Sequence, residues 1–568
     1  MKVIETDVAI IGGGPGGSTT AGFLRKHNPS LKVAVFERDW FPRDHIGESQ
    51  LPIVSTILNE LGVWNRVEAC GFPIKIGGTY RWGSSQDLWD FDFLPFGKFD
   101  DAPRPGRYEG QRTFTAFQVD RGPYDKLLLD YAGELGADVY EGTPIRAVRS
   151  EGDRVSSLVT ADGDEVRAKY YVDATGHSGL LRRAMGVPVE EPSTLKNIAI
   201  WDYWRDAEWA VSLGIGGTRI QILSLGYGWI WFIPISPDRT SIGFVCPADY
   251  YKSSGLGTDE LYTQALQAEP RLRSLIANAR RENKLTTTKD WSFLAERMTG
   301  PNWFLVGESA GFADPILSAG LSLTHQGAKE LAFLILESER GGDLAWMSEE
   351  YHRRNERRIR QHIRFADYWY RANAHFSDLK AYTSEIAKDA GLELSADQAF
   401  QWLGTGGFIE EDMGVAGTAL IRLDQLHQIS NRLSQSPAHS MLDGNNLFML
   451  RLKDAEATEI ARFSDGRVER VPALRKNGKL LPLHSLFGWM VQGLQHSPSL
   501  DLAMPYLRQV MSAEGYDFNN KLQSRLCECL EAMIRDGFAV AKYSESMPSI
   551  RYEIPLETAG IRTHVDPV

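Results

Sequence analysis

Val8-Ala9-Ile10-Ile11-Gly12-Gly13-Gly14-Pro15-Gly16-Gly17 is the stretch whose reading decides the fold. An apolar run meets a glycine-rich turn, residues 18–25 continue with a helical pattern, and a second apolar run, Val33-Ala34-Val35-Phe36, ends at Glu37. The order is strand, tight turn, helix, strand. Gly12, Gly14 and Gly17 match G-x-G-x-x-G, serving the tight bend, the close approach of a phosphate, and the contact between helix and strand. A dinucleotide pyrophosphate lies against backbone N–H groups at a helix start, where the dipole favours negative charge and a Cβ would hold it off. Glu37 stands twenty residues after Gly17, at the end of the second strand, where a carboxylate accepts ribose hydroxyls. A glycine turn without a ligand is the alternative, and two flanking strands, a helix and a placed acid argue against it. Pro15 and Gly16 within the loop, and Arg38 after Glu37, join the candidate cofactor contacts. The loop leaves FAD and NAD both open.

Outward from this loop, 568 residues suffice for two or three domains, and 43% hydrophobic with 24% charged is ordinary for a soluble globular protein. A net charge of −12 argues against nucleic-acid binding as the main task, because no basic block stands ready to neutralise phosphates. Four cysteines, Cys70, Cys246, Cys527 and Cys529, are too sparse for a disulfide framework, and Cys527-Glu528-Cys529 lacks a second pair at zinc spacing. They read as reduced core thiols of a cytoplasmic protein. No apolar signal core precedes the first strand and no run of eighteen apolar residues occurs, so neither secretion nor a transmembrane segment is expected. Fifteen tryptophans suit either a large core or a cavity for a planar ring.

Further along, His45-Ile46-Gly47-Glu48-Ser49 forms a polar loop expected at the carboxyl edge of the sheet, where nucleotides bind. Lys75 to Trp82 reads as a strand, followed by a Pro-, Gly- and Asp-rich aromatic insertion of the kind that is more often functional than filler. Arg121 opens a helix beginning near Pro123; a nucleotide-facing role and an exposed loop position fit its spacing equally. Tyr170 to Gly176 reads as a buried strand ending on the small-residue turn Asp173-Ala174-Thr175-Gly176, and 198–246 as a multistranded sheet outside the nucleotide fold. Asn302 to Glu308 reads as a last sheet strand and 321–336 as a long helix. Beyond Trp346 the chain looks mainly helical, with the aromatic stripe Phe365, Tyr368, Trp369, Phe376 read as core.

The glycine loop with Glu37, the Asp173–Gly176 turn and Gly307-Glu308 resemble FAD-dependent monooxygenases of the aromatic-hydroxylase type over about the first 340 residues. Within that superfamily, Trp229-Ile230-Trp231-Phe232-Ile233-Pro234 fits W-x-W-x-I-P of the flavin-dependent halogenases. Gly47-Glu48-Ser49 with Leu51-Pro52 resembles their G-E-S loop, and Phe312 to Gly320 their F-x-D-P-x-x-S-x-G segment. Lys75 lies where the family places its lysine, matched by position rather than by a tight motif.

The resemblance implies an α/β fold: an FAD-binding Rossmann-like core over 1–345, an antiparallel substrate sheet inserted at about 72–118 and 191–285, and a mainly helical C-terminal domain over 346–568. It implies reduced FAD, supplied by a separate flavin reductase since no second nucleotide loop is seen, with dioxygen and chloride or bromide giving hypohalous acid. The amides of Ser318, Ala319, Gly320 and Leu321 at a helix start suit the halide, and Pro315 belongs to the same flavin-side turn. Trp229 and Trp231, two apart on a strand, project to one face and fill the place where a hydroxylase seats its substrate. The hypohalous acid then travels to Lys75, which hydrogen-bonds it or forms a haloamine. Glu48 either orients the amine or halogenating species or is a structural loop carboxylate.

Two departures from the family narrow the expectation. Glu308 stands where the superfamily carries aspartate at the ribityl chain, one methylene longer. Leu317 replaces the glutamate of the tryptophan-type enzymes, so the expected substrate is an electron-rich aromatic, phenolic or pyrrolic, free or carrier-tethered. Asp290, before the last flavin strand, is expected near the isoalloxazine. A hydroxylase or prenyl-chain reductase of the same fold is the enzymatic alternative, and a flavin-binding scaffold or carrier-docking module without turnover is the non-enzymatic one.

Overall fold

The computed structural model describes residues 2–82, 88–94, 99–100, 103–192, 196–289, 292–374, 442, 444–547 and 561–564. The first apolar run forms the strand Val3–Ile11, paired in parallel with Val33–Phe36 on one side and Glu165–Asp173 on the other. Asp138–Tyr140 extends this sheet beyond Val33–Phe36, also in parallel, and Trp303–Leu305 pairs in parallel with Glu165–Asp173. Arg154–Thr160 and Ile145–Glu151 close the other edge as an antiparallel hairpin. Val8 to Ile11, Val33 to Phe36 and Tyr171 to Val172 are all buried, as strands covered on both faces require.

The register fixes where function sits. Ile11 lies opposite Phe36 and Asp173, and Leu305 opposite Asp173, so four parallel strands end level with one another. The turns beginning at Gly12, Glu37, Ala174 and Val306 therefore share one edge, the carboxyl edge at which open α/β sheets bind nucleotides.

A ten-stranded mixed sheet is drawn from three separate parts of the chain, within 74–117, 197–289 and 561–564. The strands Asn197–Arg205, Arg239–Pro247, Gly228–Pro234, Gly217–Leu225, Ile74–Arg81 and Leu88–Asp92 lie side by side in that order, and Ala116–Phe117 pairs with Ile74 and Lys75. Most of its pairs are antiparallel, but Gly217–Leu225 runs parallel to Ile74–Arg81 with a bulge between Thr218 and Arg219. Ile230 and Phe232 pack in a core with Ile242, Phe244, Leu261 and Tyr262, under the helix Thr258–Ala268. By strand alternation Trp229, Trp231 and Ile233 face the other way.

The fold class is thus α/β with a Rossmann-like sheet, a second sheet and further helices, as expected. The chain divides into one unit of 1–374, 463–468 and 562–568 and another of 375–462 and 469–561, so the boundary expected at 345 falls near 374. The helix Leu344–Ala374 stays with the first unit because its Arg358 makes a bidentate pair with buried Glu330 of the helix Gly320–Glu339 at 2.7 and 2.6 Å. Among the described residues beyond 374 there are the helices Ser485–His496, Leu500–Ala513 and Asn520–Arg535, and strands at Leu447–Leu450, Glu456–Ser464, Arg467–Lys476, Lys479–Pro482 and Ala539–Lys542. Asp465-Gly466 and Asn477-Gly478 turn between these strands with φ of 52°, 72°, 49° and 72°, the hairpin turns that Asp-Gly and Asn-Gly favour. Among the described residues no helix is long and apolar enough to cross a membrane.

Candidate active site

A cavity of about 520 Å³ opens at the shared edge of the parallel sheet. The glycine loop forms one wall. A Cβ on Gly17 would lie 1.9 Å from the Gly12 carbonyl oxygen, and one on Gly12 (φ 102°) 2.4 Å from the Ala174 carbonyl oxygen. A Cβ on Gly14 would meet only the end of Arg43, at 3.4 Å, so the space over Gly14 is left for a ligand. Behind the loop the helix Pro15–His27 starts with a proline, no capping side chain and no acidic residue in its first turn, leaving N–H groups for an anion.

Glu37 is buried at the end of its strand, accepting from the Gly13 N–H at 2.7 Å and the Asp39 N–H at 2.9 Å. One bond to each oxygen leaves lone pairs free for ribose hydroxyls. Arg38 reaches the cavity rim, largely exposed and paired with Asp39 at 3.2 Å. Arg121 is not an exposed loop residue: it is buried, bidentate to Asp125 at 2.7 and 2.9 Å, and donates to the Ile46 carbonyl at 2.7 Å. It thereby holds the 45–49 loop against the cavity. Glu308 also lines the cavity, its carboxyl raised by burial against the opposing pull of Arg121. Asp290 lies outside the described residues, as do Phe376 and the side chains of Phe365, Tyr368 and Trp369.

The opposite wall belongs to the second sheet. Trp229, Trp231 and Ile233 line the cavity with Ile220 and Ile222 of the neighbouring strand. The two indoles are 1% and 4% exposed, with centroids 5.9 Å apart. Gly243, directly opposite Trp231, seats its ring: a Cβ there would lie 2.1 Å from the indole. Gly243→Ala is therefore expected to cost about 1–3 kcal/mol by overpacking and to push Trp231 into the cavity. Thermal unfolding of the holoprotein together with FAD affinity reads both effects.

Glu48 stands between the two walls, 2% exposed. It accepts from the Gly47 N–H at 3.0 Å and the Tyr203 hydroxyl at 3.2 Å, and Ser241 bonds to it while accepting from Trp231 Nε1 at 3.1 Å. Burial raises its carboxyl to about 7, with these bonds and Arg121 opposing. The third wall is the turn after Asp314. Ser318 takes a left-handed conformation (φ 56°), Ala319 follows buried, and the helix Gly320–Glu339 begins without a capping side chain or an acidic first turn. Pro315, Ser318, Gly320 and Leu321 line the cavity; Ala319 does not.

Lys75 is not part of this lining. It sits on the strand Ile74–Arg81, with Gly217–Leu225 between it and the tryptophan strand; it pairs with Thr218, four residues along that middle strand from Ile222, the partner of Trp231. Its side chain is buried, with the ammonium 5.8 Å from the centroid of Phe93, and burial alone brings the amine down to about 7. Sequence reading missed Tyr203 and Ser241, which anchor Glu48, and Gly243, because each acts through a partner distant in sequence.

A glycine cradle open over Gly14, a carboxylate placed for ribose and uncapped helix starts define a dinucleotide-binding protein. A family model described as tryptophan halogenase matches residues 7–104 and 97–385. The 1H-pyrrole-2-carbonyl (peptidyl-carrier protein) chlorinase of Pseudomonas fluorescens is 32% identical over 393 residues, covering 66% of this chain and 86% of that one. The myxobacterial chondrochloren halogenase, described as a variant of FAD-dependent halogenases, is 27% identical with a TM-score of 0.59 over 69% of this chain and 91% of that one. The flavin-dependent halogenase CmlS shares the fold across 98% of this chain and 99% of its own, with a TM-score of 0.71 at 23% identity. The chain belongs to the flavin-dependent halogenases, enzymes whose cofactor is FAD.

Proposed function

We propose that the protein is an FADH₂-dependent halogenase that oxidises chloride or bromide with dioxygen to hypohalous acid and, through Lys75, halogenates an electron-rich aromatic, phenolic or pyrrolic, free or carrier-tethered. The observation that carries the reading is a buried lysine with its amine near neutrality, one strand removed from a wall of two tryptophans that face the FAD cavity. When bound, FADH₂ would supply two electrons and two protons, so that with one further proton dioxygen and halide balance to hypohalous acid, water and oxidised FAD. The first amides of Gly320–Glu339 and the Ser318 turn hold the halide by dipole and N–H donation. Trp229 and Trp231 occupy the wall and keep an aromatic substrate away from the site of oxidation.

At Lys75 the neutral amine hydrogen-bonds hypohalous acid, or takes its halogen and releases water. The ring carbon then receives the halogen and loses a proton, restoring the amine. A phenol or pyrrole is activated enough to need no glutamate at position 317, and the similarity to the pyrrolyl-carrier chlorinase supports a tethered substrate. Glu48 orients the halogenating species from its fixed place between the walls. The protein works in the cytoplasm with a separate flavin reductase.

Because burial lowers the Lys75 amine to about 7, the neutral form grows as pH rises through that value. Halogenation per hypohalous acid formed is expected to climb on the alkaline side of about 7, and a profile flat from pH 6 to 9 contradicts the role (measured as the product-to-oxidant ratio, range set by the lysine shift). The function itself is tested with reduced FAD, oxygen and bromide on a phenol and on a pyrrolyl-loaded carrier. Brominated product is expected; hydroxylated product indifferent to bromide contradicts it.

A further inference from the structure

The helix Leu344–Ala374 follows the last segment of the flavin fold, yet its Tyr370 reaches two elements of the active site. The Tyr370 hydroxyl accepts from Trp229 Nε1 at 2.9 Å and donates to Asp314 Oδ1 at 3.1 Å. The same Asp314 oxygen accepts from the Ile316 N–H at 2.8 Å, which starts the tight turn Pro315–Leu317. That turn delivers Ser318 into its left-handed conformation at φ 56° and leads directly into the helix start at Gly320. Trp82 packs edge-on against both Trp229 and Tyr370, each at 6.3 Å, so the phenol is held from the side as well.

A phenol hydroxyl has one proton to give. Here it goes to the carboxylate, and the oxygen lone pair receives the indole N–H, so the three groups form a continuous directed chain. Trp229 lies on one cavity wall and Ser318 on another. We propose that Tyr370 is a positioning residue for halide oxidation: it ties the Trp229 wall to the turn that presents Ser318 and Gly320, and so fixes the width of the halide's seat. This rests on the halogenase reading above. The chain matters because an anion cradle of backbone donors acts only at hydrogen-bond distance, and a left-handed serine returns to commoner conformations once its turn loosens.

Tyr370→Phe removes both bonds and leaves the ring in place. In the FAD-loaded protein, bromide affinity read from the perturbation of flavin absorbance is expected to fall about tenfold, the loss a hydrogen bond of ordinary net strength gives. FAD affinity stays at the wild-type value. Tyr171→Phe is the matched control: that buried phenol also accepts one bond, from the Ala168 N–H at 2.9 Å, and donates one, to the Ser156 carbonyl at 2.9 Å, but lies within the parallel sheet. It is expected to lower thermal stability and leave bromide affinity unchanged. Bromide affinity of Tyr370→Phe within about twofold of wild type, or an equal loss in Tyr171→Phe, overturns the proposal. If Tyr370→Phe does not fold, Trp229→Phe breaks the same chain from its other end and must weaken bromide in the same direction; unchanged affinity there overturns it as well. Wild-type protein that neither binds bromide nor makes brominated product instead refutes the halogenase reading.

Discussion

Lys75→Ala is expected to stop halogenation while halide oxidation continues. Product formation falls on the order of 10³-fold, the scale of losing a group that carries the reacting atom. Reduced FAD and oxygen are consumed at the wild-type rate, and hypohalous acid escapes to a solution trap. The separation follows from geometry: Lys75 is absent from the cavity lining, so its removal leaves the Glu48, Trp229 and Ser318 walls intact. Product and trapped oxidant measured in one reaction check this, and equal product yield from wild type and variant contradicts the assignment.

The same lysine carries a stability cost of known sign. Its amine is lowered from 10.5 to about 7, so between those values the folded protein binds fewer protons than the unfolded chain. The cost is full below pH 7 and fades as pH rises toward 10.5; at its largest it is on the order of 5 kcal/mol. Lys75→Met should therefore unfold at a higher temperature than wild type at pH 6 while making no product, the pattern of a residue kept for function against stability.

Gly17→Ala has the second largest expected effect. The added carbon would stand 1.9 Å from the Gly12 carbonyl oxygen, backbone against backbone, so the helix Pro15–His27 has to withdraw from its strand. The N–H groups meant for the pyrophosphate withdraw with it, and FAD affinity is expected to drop on the order of 100-fold. Gly14→Ala is the informative comparison, since its Cβ would meet only Arg43 at 3.4 Å without ligand. It should fold normally and lose FAD through contact with the phosphate itself. Flavin retention on gel filtration with unfolding temperature separates the two; retention of FAD by Gly17→Ala would refute the cradle.

The parts of this protein written in local sequence were readable, and those made by long-range contact were not. Gly12 to Glu37 announces itself because the glycine spacing, both strands and the acid lie within thirty residues, even though the carbonyl that crowds Gly12 belongs to distant Ala174. Trp229 and Trp231 were readable because alternation alone puts both on one face, and the cavity takes that face. The role of Tyr370 had no such signal: it meets Trp229 and Asp314 from a helix 141 and 56 residues away in sequence. Gly243 looked like any strand glycine until Trp231 was found opposite it. The C-terminal strands are a different case, since Asp465-Gly466 and Asn477-Gly478 mark both hairpin turns openly in the sequence.

Halogen transfer remains the claim to which every residue role is attached. Its most direct measurement is the mass of a pyrrolyl-loaded carrier protein, and of a free phenol, after turnover with reduced FAD, oxygen and bromide. Bromine is expected in at least one product, lost with Lys75→Ala and lost when bromide is withheld. Oxygen incorporated in place of bromine, or bromination that persists unchanged in Lys75→Ala, would contradict it.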